Sequence, residues 1–248
     1  MSSTRSYYER YWSPQGFFPQ EALDPHLERL YRTYVAAGAA CLELGCGDGS
    51  KSSRWLGEHA GSYVGVDISA TAVGLARASG IDATVIEDAA ALPFSSDSFD
   101  VVCATEVLEH LFLPDEAARE AARVLRPGGV LIVTVPNVAY WRRRIDFLAL
   151  GRWHPGGDDL SVQQPWRDPH IRFFNAPALA RMLDDTGFEL LHVSGFEGGV
   201  FRDVPPLRKL HVDRLSVLYG SCAARFPGLL AKRLSAVAQV PREARISA

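Results

Sequence analysis

The sequence predicts an α/β fold built on a parallel sheet with helices on both faces. Short apolar runs of strand length alternate with helical stretches between Ala40 and Thr134, the pattern of repeated βαβ units. A glycine-rich turn, Gly45-Cys-Gly-Asp-Gly49, follows the first run and opens onto a helix, where backbone N–H groups are available to a ligand. The second run ends in Asp67, 22 positions after Gly45. That spacing puts a carboxylate at a strand's carboxyl edge, within reach of ribose hydroxyls.

Composition narrows the class. The 248 residues suffice for one domain with a sizeable core, and 47% hydrophobic with 22% charged content is ordinary for a globular chain. No apolar run has the ~18 residues that a membrane span needs, and the opening MSSTRSYYERYW lacks the apolar core of a secretion signal. Cys41, Cys46, Cys103 and Cys222 form no C-x-x-C pair, so they are expected as reduced thiols in a cytoplasmic protein. Residues 1–137 carry 10 Lys and Arg against 18 Asp and Glu, whereas residues 138–248 carry 16 against 11. The acidic part suits a cationic ligand and the basic part an anionic one, although solvated surface charge explains such a split equally well.

The elements follow in order. Tyr7, Tyr8, Tyr11 and Trp12 recur at helical spacing before Pro14, predicting a short amphipathic helix that ends in a turn. A second helix is expected from Pro25 to Ala37. Strands are then expected at 40–44, 63–67, 83–87, 99–104 and 130–135, with helices at 50–59, 69–79 and 115–125. Ser69 is a natural N-cap, and Pro127-Gly128-Gly129 is expected to end a helix. A helix at 176–187 and a sixth strand through Gly187-Phe-Glu-Leu-Leu-His-Val-Ser194 follow.

Glu43-Leu-Gly-Cys-Gly-Asp-Gly49 departs from the G-x-G-x-x-G of dinucleotide enzymes, which argues against an NAD-dependent oxidoreductase. It resembles the first motif of class I S-adenosylmethionine-dependent methyltransferases. Glu87-Asp88-Ala-Ala-Ala-Leu-Pro-Phe94, Phe99-Asp-Val-Val102 and Arg123-Val-Leu-Arg-Pro-Gly-Gly-Val-Leu-Ile-Val-Thr134 resemble its later motifs, in register over about residues 40–137. The resemblance implies a Rossmann-like, doubly wound, seven-stranded mixed sheet closed by an antiparallel strand, for which Leu234–Val240 is the candidate, preceded by a helix near 213–225. It implies S-adenosyl-L-methionine as cofactor. The glycine turn (Gly45, Cys46, Gly47, Gly49) would pass beneath its methionyl part, with acidic Glu43 beside the cationic ligand. Asp67 and Ile68 would face the ribose, Asp88 and Ala89 the adenine, and Thr105 would lie along the same edge.

Just past the fourth strand lies Thr105-Glu-Val-Leu-Glu-His-Leu111, where open α/β sheets carry their reactive groups. If this stretch is helical, Glu106, Glu109 and His110 share a face. His170, in Asp168-Pro-His-Ile-Arg-Phe-Phe174, joins them as a later candidate. Glu106, Glu109, His110 and His170 look like the metal set of small-RNA 3′-end 2′-O-methyltransferases, and the pattern is also similar to quinone-pathway O-methyltransferases. The resemblance implies Mg²⁺ or Mn²⁺ on vicinal acceptor oxygens; without an ion, His110 or His170 would serve as general base.

The chain is expected to form a single methyltransferase domain, 1–248. Within it lie an N-terminal helical cap (1–38), a cofactor-binding core (39–137), an acceptor or lid insertion (138–175) and the end of the sheet (176–248). In the insertion, Tyr140-Trp-Arg-Arg-Arg144 precedes an apolar helix face and the loop GRWHPGGDDLSVQQPWRDP, with Trp153, His154 and Trp166 among polar groups. The expected activity is methylation of a small-molecule hydroxyl. A metal-dependent RNA-terminal ribose 2′-O-methyltransferase is the enzymatic alternative, disfavoured by the acidic balance. A cofactor-binding regulatory protein without methyl transfer is the other.

Overall fold

The computed structural model describes residues 3–13, 23–153, 164, 166, 168–197, 222–223 and 225–242. The turn at Pro14, the insertion loop from His154 to Gln163, most of the helix expected over 213–225 and the final residues lie outside the described residues.

Helix α1 (Ser3–Tyr11) and helix α2 (Pro25–Tyr34) precede the sheet. Strand β1 (Ala40–Leu44), helix α3 (Ser52–His59), strand β2 (Ser62–Asp67), helix α4 (Ala70–Ala78) and strand β3 (Ala83–Val85) form the first half. Strand β4 (Phe99–Thr105), helix α5 (Pro114–Val124), strand β5 (Leu125–Pro136), helix α6 (Trp141–Leu150), helix α7 (Ala176–Asp185), strand β6 (Glu189–Phe196), helix α8 (Pro227–Leu230) and strand β7 (Arg233–Gln239) follow. The seven strands lie in the order β3-β2-β1-β4-β5-β7-β6. Neighbours from β3 through β5 run parallel, and β7 is antiparallel to both β5 and β6. The expected mixed sheet with its antiparallel closing strand is therefore present.

The sheet is covered because its central strands are apolar on both faces. Leu42, Leu44, Val102 and Val133 pack with Ala117, Ala118, Ala121 and Val124 of α5, whose small side chains let helix and sheet approach closely. Cys41, Val101, Cys103 and Ile132 pack on the opposite face with Leu27, Leu30 and Tyr31 of α2. Both helices gain their stability from such amphipathic contacts more than from intrinsic propensity.

Two expectations change. Pro127-Gly128-Gly129 lies within β5, because the helix already stops at Val124 and Leu125 pairs with Phe99. Gly128, at φ +81°, donates from its N–H to the Val240 carbonyl at 2.9 Å, so the glycine serves an irregular strand start. The stretch after β4 is no α-helix: Glu106 takes φ +56°, and only Leu108–His110 form a single 3₁₀ turn. The Glu106 N–H is captured by the Thr134 carbonyl at 3.0 Å, which continues the sheet for one residue beyond β4.

Candidate active site

The glycine turn leaves β1 at the carboxyl edge of the sheet and is pinned to the end of β2. Gly45 and Cys46 both donate to the Val66 carbonyl, at 2.8 and 3.1 Å. Gly45 and Gly47 adopt φ of +68° and +56°, left-handed conformations that residues with a Cβ resist. Asp67 holds the turn with one carboxylate oxygen, accepting from Gly47 N at 3.0 Å, and accepts from Ser69 N at 2.9 Å with the other. A carboxylate offers about four lone-pair sites, so capacity for ribose hydroxyls remains. Burial raises its pKa while these N–H donors lower it.

Glu43 lies beneath the turn. Its Oε2 accepts from Ser53 Oγ and Tyr63 OH, each at 2.6 Å, and burial pushes its pKa up to about 7. Expected from sequence beside the cofactor, it also braces α3 and β2 through these two hydroxyls. Ser53 also reaches the Cys46 carbonyl at 3.3 Å, which ties that brace to the turn. The Cys46 thiol is buried, and burial raises its pKa. Thr105, at the end of β4, shares a 3.0 Å hydrogen bond with Tyr31 OH, which also donates to Ser52. Asp88 is exposed and accepts from Ala90 N at 2.9 Å, whereas Ala89 is buried in the core.

Helix α1 lies on this edge. A Cβ built on Gly47 would come within 2.8 Å of the Trp12 ring. Arg5 donates to the Ile68 carbonyl at 3.1 Å and the Ile86 carbonyl at 3.0 Å. Sequence reading found the aromatic face of this helix but not Arg5 or Glu9, whose partners lie sixty or more positions away.

The second half of the site forms where residues 168–174 run past the 3₁₀ turn. Ile171 and Arg172 donate to the Glu109 carbonyl at 2.9 and 3.0 Å, and Val138 donates to the Phe174 carbonyl at 3.0 Å. This register brings Glu109, His110 and His170 together, with one ligating atom of each within 4.8 Å of the others. His110 Nδ1 faces the Pro169 carbonyl at 3.2 Å and His170 Nδ1 faces Asp168 Oδ1 at 2.5 Å. Each ring therefore carries its hydrogen on Nδ1 and turns the Nε2 lone pair toward Glu109 Oε1, at 3.8 and 3.9 Å. Burial drives the His110 pKa down to about 4, and the neighbouring imidazole of His170 adds to it by disfavouring a second positive charge there. Burial raises the Glu109 carboxyl well above its usual range, the nearby Glu106 charge contributing. Neither Glu109 oxygen has a hydrogen-bond partner among the described residues.

Glu106 does not join this cluster. Its carboxylate accepts from Thr134 Oγ1 at 3.1 Å and lies 3.4 Å from Arg233 Nε. The helix that would have aligned it with Glu109 is absent, so the sequence-derived four-residue set reduces to three. Asp168 is the residue that sequence reasoning missed; an acid two positions before a histidine was the available signal.

A cavity of ≈ 650 Å³ opens beside the cluster. Tyr7, Tyr8 and Tyr11 of α1 form one wall, with His110, Phe112 and Trp166 among the other lining residues. Tyr8 meets the His110 ring edge-on at 6.1 Å.

Residues 17–193 match a family model described as a methyltransferase domain. The chain belongs to the class I S-adenosylmethionine-dependent methyltransferases. It is 39% identical over 134 residues to the methyltransferase GfsG of Streptomyces halstedii, an alignment covering 50% of this chain and 48% of that protein. The chain thus spans about half the length of that relative. It is 32% identical over 199 residues to the ubiquinone biosynthesis O-methyltransferase of Xanthomonas oryzae pv. oryzae, covering 75% of this chain and 78% of that protein. The structure of the [4+2]-cyclase SpnF superposes with a TM-score of 0.58 and 22% identity over 88% of this chain and 81% of that one, a likeness of fold. Among the described residues of this methyltransferase, no helix is long and apolar enough to cross a membrane.

Proposed function

We propose that this methyltransferase transfers the methyl group of S-adenosylmethionine to a hydroxyl of a small molecule held in the cavity between α1 and residues 168–171. The reading is carried by the two imidazole Nε2 atoms turned toward Glu109, with His110 lining that cavity and Asp168, which holds His170, lining it too. The name of the Xanthomonas relative, an O-methyltransferase, supports oxygen as the acceptor atom. The overall net charge of −3 supports a small acceptor over an RNA end.

The residues present fit the cofactor. Gly45, Cys46, Gly47 and Gly49 would lie beneath its methionyl part, Asp67 and Ile68 at the ribose, Asp88 and Ala89 at the adenine, with Thr105 along the edge. Glu43 acts from below, through Ser53 and Tyr63. The bound cofactor supplies a methyl group on a positively charged sulfur, which leaves without covalent help from the protein. The protein's tasks are alignment, exclusion of water and removal of the hydroxyl proton. Tyr7, Tyr8 and Tyr11 confine the acceptor. His170 Nε2 takes the proton, because Asp168 at Nδ1 stabilises the charged ring. His110, held near a pKa of about 4, is a weak base and serves as wall and hydrogen-bond acceptor.

A divalent cation fits the same three side chains. A buried carboxylate without partners and two imidazole lone pairs converge, and each ring's Nδ1–H is held by an oxygen behind it, the second-shell pattern of metal-binding histidines. Glu109, His110 and His170 would be its ligands, and the mixed N and O donors favour Mn²⁺ over Mg²⁺. Such an ion would acidify and orient an acceptor oxygen.

The test is incubation with labelled S-adenosylmethionine and a panel of phenols, catechols and aliphatic hydroxyls, with product identified by mass spectrometry. A methyl ether should form, and His170→Ala should lower its rate ~10²- to 10⁴-fold without weakening S-adenosylhomocysteine binding. A methylated amine would overturn the oxygen assignment. Cofactor binding without transfer to any acceptor class would leave a binding protein.

A further inference from the structure

Two glutamates just past the carboxyl ends of separate strands share one arginine. Strand β7 runs antiparallel between β5 and β6, and its first residue, Arg233, pairs with Pro136 at the end of β5 and with Phe196 at the end of β6. From there its side chain reaches Glu197, one residue past β6, with Nη1 at 3.0 Å from Oε1. In the other direction it reaches Glu106, one residue past β4, with Nε at 3.4 Å from Oε2. Both glutamates have left-handed backbone, φ +56° at Glu106 and +53° at Glu197. A residue with a long side chain rarely adopts that conformation, and holding it costs free energy that neighbouring contacts must supply. Among the described residues, Asp97 is the one other non-glycine position at positive φ. One guanidinium therefore engages two of the three.

Glu106 is where the chain leaves the sheet for the cluster beside the cavity. Its N–H and Oε1 are held by Thr134 of β5 and its Oε2 by Arg233 of β7. Three residues on, the Glu109 carbonyl accepts from Ile171 and Arg172, the register that brings His170 to Glu109 and His110. A change of φ at Glu106 would swing Glu109 and His110 away from residues 168–172. We propose that Arg233 is a positioning residue of the reaction: by clamping the left-handed Glu106 from β7, it fixes the turn that presents Glu109 and His110 to His170. The assignment rests on the reading of these three side chains as the acceptor-side machinery. Glu197 completes the clamp from behind, since its carboxylate holds Nη1 and its carbonyl accepts from Lys232 N at 3.3 Å. A planar guanidinium can address both carboxylates at once, as an ammonium cannot. The Glu106 charge also acts on Arg143, buried on α6, so Glu106 keeps a positive neighbour when Arg233 is removed.

The test combines hydrogen–deuterium exchange with turnover. Arg233→Ala should speed exchange at residues 106–111 in the free protein and lower kcat about tenfold or more. Its S-adenosylhomocysteine affinity should stay near wild type, because the glycine turn is pinned from β2. Arg233→Lys should show a smaller loss of the same kind, and it carries the comparison if Arg233→Ala does not fold. Glycine at position 106 takes a positive φ without a clamp, so Glu106→Gly added to Arg233→Ala should recover most of kcat. Glu197→Gly added to Arg233→Ala relieves the other glutamate and should raise the melting temperature without recovering kcat. Wild-type exchange at 106–111 in Arg233→Ala would overturn the clamp. Equal recovery of kcat by the two glycine variants would overturn it as well, leaving Arg233 a general stabiliser of the sheet's edge. A wild type that methylates no hydroxyl would sink the reading of the cluster instead, and exchange at 106–111 with its rescue by Glu106→Gly would still decide the clamp.

Discussion

The indole of Trp12 lies over Gly47 at the mouth of the glycine turn, where a β-carbon on that glycine would come within 2.8 Å of the ring. Two penalties therefore meet in Gly47→Ala. A non-glycine residue at φ +56° costs ~1–2 kcal/mol, and the new methyl group would push Trp12 and α1 outward. Calorimetric titration should show S-adenosylhomocysteine affinity reduced about tenfold or more, with a lowered melting temperature. Unchanged affinity would mean that Gly47 does not approach the cofactor.

Glu43 gives a pH signature. Its folded pKa is raised from an ordinary 4.5 to about 7, so between these values the folded protein holds a proton that the unfolded chain has released. Stability is then fully present below about pH 4.5, falls as pH rises toward 7, and is level above it. The full loss is up to about 3 kcal/mol at ~1.4 kcal/mol per unit. Glu43→Gln keeps an acceptor for Ser53 and Tyr63 and cannot ionise. The difference in melting temperature between wild type and variant should therefore widen in the variant's favour from pH 5 to pH 7. A constant difference across that range would show that Glu43 ionises normally.

How far the sequence could be read depended on the range of the interactions involved. Strands β1, β2 and β4 were legible because apolar runs end at glycine or acidic residues, and the Gly45 to Asp67 spacing reported the edge where the site lies. The side to which Glu43 turns was not, since it depends on Ser53 and Tyr63 offering hydroxyls on one face. The stretch after β4 has helical spacing, yet Thr134 captures Glu106 through both main chain and side chain and holds it out of a helix. The contacts of α1 with β2, β3 and α4 leave no local pattern at all. His170 was found by motif, and the acid two positions before it was visible too, but that its carboxylate turns back onto Nδ1 was not.

Asp168→Asn tests the support of His170. The amide can present its NH₂ group toward Nδ1, which would favour the tautomer with hydrogen on Nε2 and spoil that atom as an acceptor. Turnover should fall about 10- to 100-fold, with S-adenosylhomocysteine affinity unchanged because Asp168 lies away from the glycine turn. Asp168→Glu should recover part of the loss if a carboxylate at Nδ1 is what matters. Equal losses in both variants would point to packing of the 168–174 segment instead.

Glu106 and Glu109 are three positions apart and face different partners, which makes them a matched pair for the cation. Glu109 presents an unpartnered buried carboxylate to both Nε2 atoms, whereas Glu106 is engaged by Thr134 and Arg233. After chelation, Mn²⁺ added to wild type should give a bound-ion signal by electron paramagnetic resonance, at one ion per chain. Glu109→Gln should weaken that binding at least about tenfold, since an anionic ligand is lost from a three-ligand set. Glu106→Gln should leave it nearly unchanged, lowering stability through the contact with Arg233. Glu109→Gln also removes the cost of burying an ionisable group, so without metal it should be as stable as wild type or more so. Mn²⁺ binding lost equally in both variants would restore the four-residue set expected from sequence, and no binding in wild type would leave His170 as a metal-free base.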